Sequence, residues 1–243
     1  MIFLLIFALL NVCGSVPFGY HEAVGIKLAN HLMLQEVGRI IGGNQVSSIV
    51  DYPYQVGAGI VATLTTGASS ICGGALVSNT RVLTAAHCWW DGQNQAKSFT
   101  VVLGSLTIFS GGTRLTTSNI VVHPSWNDRD IINDIAVVRI TKVQFNSKIL
   151  EKGFPTTTAL YHVNLKILSN TVCQKSFSDV SIHGSHLCTD GANRVGTCEG
   201  DSGGPLTAVI GIVSFGIGDG CELGAPSVFT RVTAFLSWIN NQL

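Results

Sequence analysis

Gly200-Asp201-Ser202-Gly203-Gly204-Pro205 is the stretch richest in chemistry. Glycines flanking a serine let the backbone come close to a substrate and aim consecutive N–H groups at one point, a nest that suits an oxyanion. A serine hydroxyl is a poor nucleophile until a base takes its proton. Thr84-Ala85-Ala86-His87-Cys88 offers that base, and Asn133-Asp134-Ile135-Ala136 offers a carboxylate at the head of an apolar strand, suited to orienting and stabilising an imidazolium. Singly, each has an ordinary explanation: a Gly-rich Ser loop as a turn, one of seven histidines as a surface residue. Together they make a nucleophile, base and carboxylate set.

The elements that must position this set are short. Apolar runs broken by turn residues recur from Tyr54 to Val232, and many β-branched runs at this spacing predict an all-β barrel or sandwich. Only the end differs: Val232, Phe235, Leu236, Ile239 and Leu243 recur at helical intervals, which predicts a C-terminal amphipathic helix docked on the β core. Twenty-seven glycines and 12% charged residues in 243 exclude a disordered tail or coiled coil. A net charge of +0 without a Lys/Arg cluster gives no footprint for nucleic acid or an anionic membrane. No window approaches the roughly 20 unbroken apolar residues of a spanning helix.

Residues 1–15 are expected to be a signal peptide: an apolar run from Met1 to Leu10, then Val12-Cys13-Gly14 with small residues suited to a cut near Gly14 or Ser15. The other reading of this run is a membrane anchor. Loss of Cys13 leaves six cysteines, Cys72, Cys88, Cys173, Cys188, Cys198 and Cys221, an even number that suits three disulfides in an oxidising compartment; fifteen pairings are open. No zinc-type spacing is present, so no metal and no cofactor are expected. Gly38-Arg39 before Ile40-Ile41-Gly42-Gly43 is an accessible, cuttable junction, or else an ordinary exposed dipeptide.

In chain order His, Asp, Ser, these motifs resemble the chymotrypsin-like (S1) serine proteases over Ile40 to Leu243. In flavour they look like insect digestive chymotrypsins and crustacean collagenolytic enzymes. The resemblance implies two six-stranded antiparallel β-barrels with a C-terminal helix and a triad of His87, Asp134 and Ser202 in the cleft between them. It also implies an oxyanion hole from Gly200 and Ser202 and the pairings Cys72–Cys88, Cys173–Cys188 and Cys198–Cys221. Residues 16–39 become an activation propeptide and 40–243 the protease domain; cleavage after Arg39 would free the Ile40 amine for burial against Asp201. Ser214-Phe215-Gly216 resembles the substrate-binding strand. Gly196 falls where trypsins carry an acidic residue, Gly216 leaves the entrance open, and Ser227 matches a small wall position, so the pocket favours large apolar side chains over charged ones, with an elastase-like taste for small residues as the nearer competitor. The implied partners are protein or peptide substrates, an Arg-preferring trypsin-like activator and protein inhibitors, for a monomer secreted to an extracellular site such as the gut lumen.

Two shortfalls stand against the pattern. Only 38 residues separate Asp134 from Cys173, about thirty fewer than the resemblance implies for an interdomain link and the opening strands of a six-stranded barrel, and Leu206 to Val213 is a single apolar run with Gly211 as its sole turn signal. The second barrel is therefore expected to be shortened. The alternative to a secreted serine endopeptidase is a catalytically impaired homologue acting as a binding or decoy protein. A lipase-like hydrolase would carry its triad in the order Ser, Asp, His and is excluded.

Overall fold

The outward side of a barrel strand should be polar, yet Val61 and Val102 are buried on strands whose inward side chains already fill a core. The computed structural model shows why. It describes residues 19–34, 44–46, 59–105, 107–145, 160–162, 164–198, 200–206, 209–217 and 224–243; Arg39, Ile40, Cys221 and the expected signal peptide lie outside them. In the first half, β2 (Gly59–Leu64), β3 (Ser69–Cys72), β6 (Ala96–Leu103) and β7 (Thr113–Thr117) form an antiparallel sheet in the order β3-β2-β6-β7. Ile60, Ala62, Leu64, Phe99, Val101 and Leu103 point into the barrel, in register as Ile60↔Val101 and Ala62↔Phe99. Val61 and Val102, of opposite parity, point outward beneath α1 (Ile26–Leu34), which the single turn His21–Gly25 leads into.

A second sheet of β4 (Ala75–Ser78), β5 (Arg81–Thr84), β8 (Ile120–Val122) and β9 (Ala136–Arg139) runs β4-β5-β9-β8 and closes the same core through Val82↔Val138 and Leu83↔Val137. The eight strands are six passes of chain. Gly73-Gly74 breaks one pass into β3 and β4, and Ser118-Asn119 breaks another into β7 and β8, so each broken pass serves both sheets. This is the expected six-stranded barrel, bent at its corners.

The second half is built from a five-stranded antiparallel sheet in the order β11-β12-β15-β14-β13: β11 (Ile167–Leu168), β12 (His186–Thr189), β15 (Ser227–Arg231), β14 (Gly211–Phe215) and β13 (Pro205–Leu206). Beside it β1 (Asn44–Val46) pairs with β10 (Leu160–His162). The short run before Ser214 does turn back on itself: Leu206 pairs with Gly211 and Pro205 with Ile212. The described part of its outer strand is Pro205–Leu206, and Gly211 opposite it is packed so closely that a Cβ there would lie 3.0 Å from Phe229 Cβ. The other shortfall, after Asn146, falls mainly outside the described residues.

Disulfide Cys173–Cys188 ties α2 (Asn170–Gln174), capped by Ser169 Oγ accepting from the Val172 amide, to β12. Val232, Phe235 and Ile239 of the C-terminal turn and α3 (Leu236–Asn240) join the first-half core, so the last residues clamp the two halves together. Leu236 and Leu243 do not take part; they are 49% and 53% exposed. The chain enters α3 through a 3-10 turn at Val232–Phe235, which winds more tightly than an α-helix and swings Leu236 off the buried stripe. Among the described residues no helix is long and apolar enough to cross a membrane.

Candidate active site

His87 sits in a single 3-10 turn, Ala86–Cys88, that leaves the end of β5. Its neighbour Cys88 is bonded to Cys72 of β3, with Cα atoms 6.2 Å apart, and that crosslink fixes the turn to the barrel. Asp134 precedes β9 and is delivered inward by a tight reversal in which Ile131 and Asn133 take left-handed backbone, φ 56° and 61°. A β-branched residue resists that conformation, so something must hold it. His186 does: its Nε2–H donates to the Ile131 carbonyl at 2.8 Å, while its Nδ1 accepts the His183 amide at 3.1 Å. Burial keeps the His186 ring neutral, pushing its pKa below the ordinary value.

The buried Asp134 carboxylate takes three donors. Oδ1 accepts the His87 backbone amide at 2.9 Å, and Oδ2 accepts His87 Nδ1–H at 2.7 Å and the Ser214 hydroxyl at 2.6 Å. Thr230 Oγ1 donates to the Asp134 carbonyl at 2.7 Å. Burial opposes ionisation of Asp134, but the facing His87 charge and these hydrogen bonds outweigh it and hold the carboxyl below the usual carboxylate range. With Nδ1–H spent on Asp134, a neutral His87 carries its lone pair on Nε2, the tautomer of a general base.

Ser202 reaches the same corner by close backbone approach. Its carbonyl accepts the Gly73 amide at 2.7 Å, and the Gly203 amide donates to Val213 O at 2.8 Å. A Cβ on Gly73 would lie 2.7 Å from Gly204 Cα, and one on Gly203 would collide with Thr84 Oγ1, so side chains are excluded from both faces of this contact. Gly200 and Gly203 also need φ of 88° and 81°, where glycine alone is unstrained. Ser202 is thus carried against the Cys72–Cys88 turn. The Ser202–His87 hydrogen bond is not made: among the described residues, His87 Nε2 is buried without a hydrogen-bond partner. Against the His87 ring lies Tyr20, ring centroids 4.8 Å apart and edge-on.

Gly196 faces Ser227, whose Oγ accepts the Thr197 amide at 3.1 Å and would lie 3.0 Å from a Cβ at Gly196. A Cβ at Gly216 would meet nothing within 4 Å among the described residues. Phe215 is 3% exposed, with Phe177 and His186 edge-on against it at 5.6 and 5.5 Å. Asp201 Oδ2 accepts the Cys198 amide at 2.8 Å. Cys198 is disulfide-bonded, while Cys221, Arg39 and Ile40 lie outside the described residues. Cys72, His87 and Cys88 cluster closely enough for a metal, but the two sulfurs are spent on each other.

The sequence reading assigned Ser214 to substrate binding and missed its bond to Asp134, 80 residues away. It also missed Thr230, His186 and Tyr20. No local spacing signals such pairs, because each is made by strands that meet only when the halves assemble.

Comparison with known proteins agrees with this geometry. The trypsin family model matches residues 40–159 and 149–239. The collagenase of Hypoderma lineatum is 31% identical over 268 aligned residues that take in 98% of this chain and 97% of the relative. That alignment is longer than this 243-residue chain, so the relative has residues without a counterpart here. Brachyurin of Leptuca pugilator is 37% identical over 202 residues, 70% of this chain and 87% of the relative. A solved structure of HL collagenase superposes with a TM-score of 0.75 at 30% identity, covering 84% of this chain and 98% of that one.

Proposed function

The chain belongs to the trypsin family of serine endopeptidases, and from that premise we propose a secreted zymogen whose active form cleaves proteins after large apolar residues with His87, Asp134 and Ser202 as its triad. The observation that supports the triad most is Asp134 below the carboxylate range with three donors upon it, leaving His87 Nε2 as an acceptor. Ser202 Oγ attacks the scissile carbonyl carbon as its proton passes to Nε2, and Asp134 stabilises the imidazolium. The oxyanion is bound by the Gly200 and Ser202 amides, a contribution of about 3 kcal/mol per donor. Collapse expels the amine, which takes the proton from Nε2. Water then attacks the acyl-enzyme, giving its proton to Nε2 and returning Oγ as the hydroxyl.

In this reading activation is a cut after Arg39, after which the Ile40 amine is buried on Asp201 and the Ser202–His87 bond forms. Gly196 at the pocket floor brings no charge for Lys or Arg, Ser227 is small, and Gly216 leaves the entrance clear; Ser214, Phe215 and Gly216 would align the substrate backbone. Protein inhibitors and a monomeric, extracellular enzyme, with the gut lumen as one location, complete the proposal. A second reading, an impaired homologue that binds without cutting, draws on the residues missing relative to the Hypoderma enzyme. A fluorophosphonate probe on the cut protein, freed of its N-terminal segment, separates the two: stoichiometric labelling that Ser202→Ala abolishes supports the enzyme. No label and no hydrolysis of Phe, Tyr, Leu, Arg or Lys peptides would establish the impaired homologue.

A further inference from the structure

The segment Gly19–Leu34 precedes the expected cut at Arg39, yet it is packed as tightly as the barrel beneath it. Tyr20, His21, Ala29 and Leu32 are 2%, 0%, 0% and 2% exposed. Ala29 and Leu32 of α1 cover Val61, Ile71 and Val102 on the outward apolar face of the first sheet, together with Ile108 of the loop between β6 and β7. The start of the segment is held by polar bonds specific in position. Asp91, itself fully buried, accepts the His21 amide on Oδ2 at 2.8 Å and the Gly19 amide on its carbonyl at 2.9 Å. His21 Nδ1 shares a hydrogen bond with Ser70 Oγ at 2.8 Å, and Tyr20 Oη donates to Ile71 O at 2.7 Å. Gly25 rests on Ser70 so closely that a Cβ there would collide with Ser70 Oγ.

Tyr20 is thereby held against the imidazole of His87, which is 0% exposed with Nε2 unpartnered. A leaving amine must reach Nε2 to take its proton, and Ser202 must reach it to give one up. We propose that the surface formed by Ser70, Ile71, Asp91 and His87, with the apolar face behind them, is a binding site for this chain's own segment 19–34, which acts there as an inhibitory cover. All of these contacts are made by residues 19–32, so a cut at Arg39 breaks the chain but leaves the cover seated. Activation then takes two steps: scission, followed by departure of a docked peptide, which rebinds as an inhibitor when its concentration is high.

The inference rests on His87 as the base and Arg39 as the cut. The test compares full-length wild-type and Gly25→Ala chains, each cut with an arginine-specific protease. The bodies released, 40–243, are identical, so every difference comes from the segment. Expected is co-elution of the segment with the wild-type body on gel filtration, loss of it from the Gly25→Ala protein, and kcat/KM on a Phe peptide at least tenfold lower for freshly cut wild type. Adding a synthetic 16–39 peptide to the segment-free body should restore that inhibition, and the same peptide with Tyr20→Ala should not. Equal elution of the two segments overturns the binding site, and bound segment with unchanged kcat/KM overturns the cover. Should the segment-free body neither hydrolyse peptides nor take up a fluorophosphonate, the endopeptidase reading fails, and elution alone still decides whether the site exists.

Discussion

Ser214 shows what one hydroxyl contributes at this site. It supplies one of two donors on Asp134 Oδ2, the other being the imidazole, so Ser214→Ala should cost about 2 kcal/mol, the scale of a hydrogen bond to a buried charge. The pH dependence has a definite sign. A carboxyl whose folded pKa is depressed stabilises above its ordinary value of 3.8 and loses that contribution as pH falls through the folded one, so weakening the depression raises the midpoint of acid unfolding. An acid titration followed by circular dichroism in which Ser214→Ala kept the wild-type midpoint would contradict this account of Asp134. Gly196 supports a second expectation. With no charge at the floor, a cationic side chain enters without a partner while an aromatic one gains about 2 kcal/mol on burial, so kcat/KM should be far higher for Phe than for Arg peptides. Gly196→Asp should depress Phe cleavage and restore Arg cleavage only in part, because its new Cβ must also share space with Ser227 Oγ. A body that cut Arg peptides faster than Phe peptides would refute the neutral pocket.

At the scale of elements, the crosslinks and the N-terminal helix are separable devices. Cys173–Cys188 closes 15 residues between α2 and β12, and replacing both cysteines by serine should lower the unfolding free energy by roughly 3 kcal/mol in the chain-entropy account, read as a smaller denaturant midpoint. The N-terminal segment should respond to pH through His21, whose pKa burial lowers from 6.5 to about 4, against the attraction of Asp91 and together with the repulsion of His87. A histidine with a depressed pKa when docked favours docking fully above pH 6.5, and that contribution is lost as pH falls from 6.5 towards 4. Hydrogen exchange at Ser69–Cys72 in the cut protein should therefore be slow at pH 7 and faster, after correction for intrinsic rates, at pH 4.5; equal protection at both would remove His21 from the account. The barrel strands were legible in the sequence because alternation and turn residues are local signals. α1 was not read from it, since what distinguishes that helix is the outward Val61 and Val102 beneath it, and only sheet register sets which parity faces out.

At the scale of the molecule, the two halves meet at the site and nowhere is that more evident than at Asp134. Its nearest partners, His87 from the first half and Ser214 and Thr230 from the second, are bonded to it across 47, 80 and 96 residues. Activation belongs to this scale too: N-terminal sequencing of the cut protein should begin Ile-Ile-Gly-Gly, and Asp201→Asn should leave the cut unchanged while lowering kcat/KM by at least tenfold, as expected if the Ile40 amine needs a charged partner. A cut Asp201→Asn protein with full activity would detach Asp201 from activation. From its sequence alone, the chain's all-β class, its C-terminal helix, the family resemblance and the candidates proposed as nucleophile, base and carboxylate could be read, because each is carried by contiguous residues: a glycine-flanked serine, a histidine beside a cysteine, a carboxylate before an apolar strand. The tertiary structure alone decided that Ser214 serves Asp134, that His186 holds the strained turn at Ile131, that Leu236 faces solvent and that Tyr20 lies on His87. Those are encounters between residues distant in the chain, and their geometry depends on strand register and on how sheets and helices stack, which no local pattern of residue types encodes.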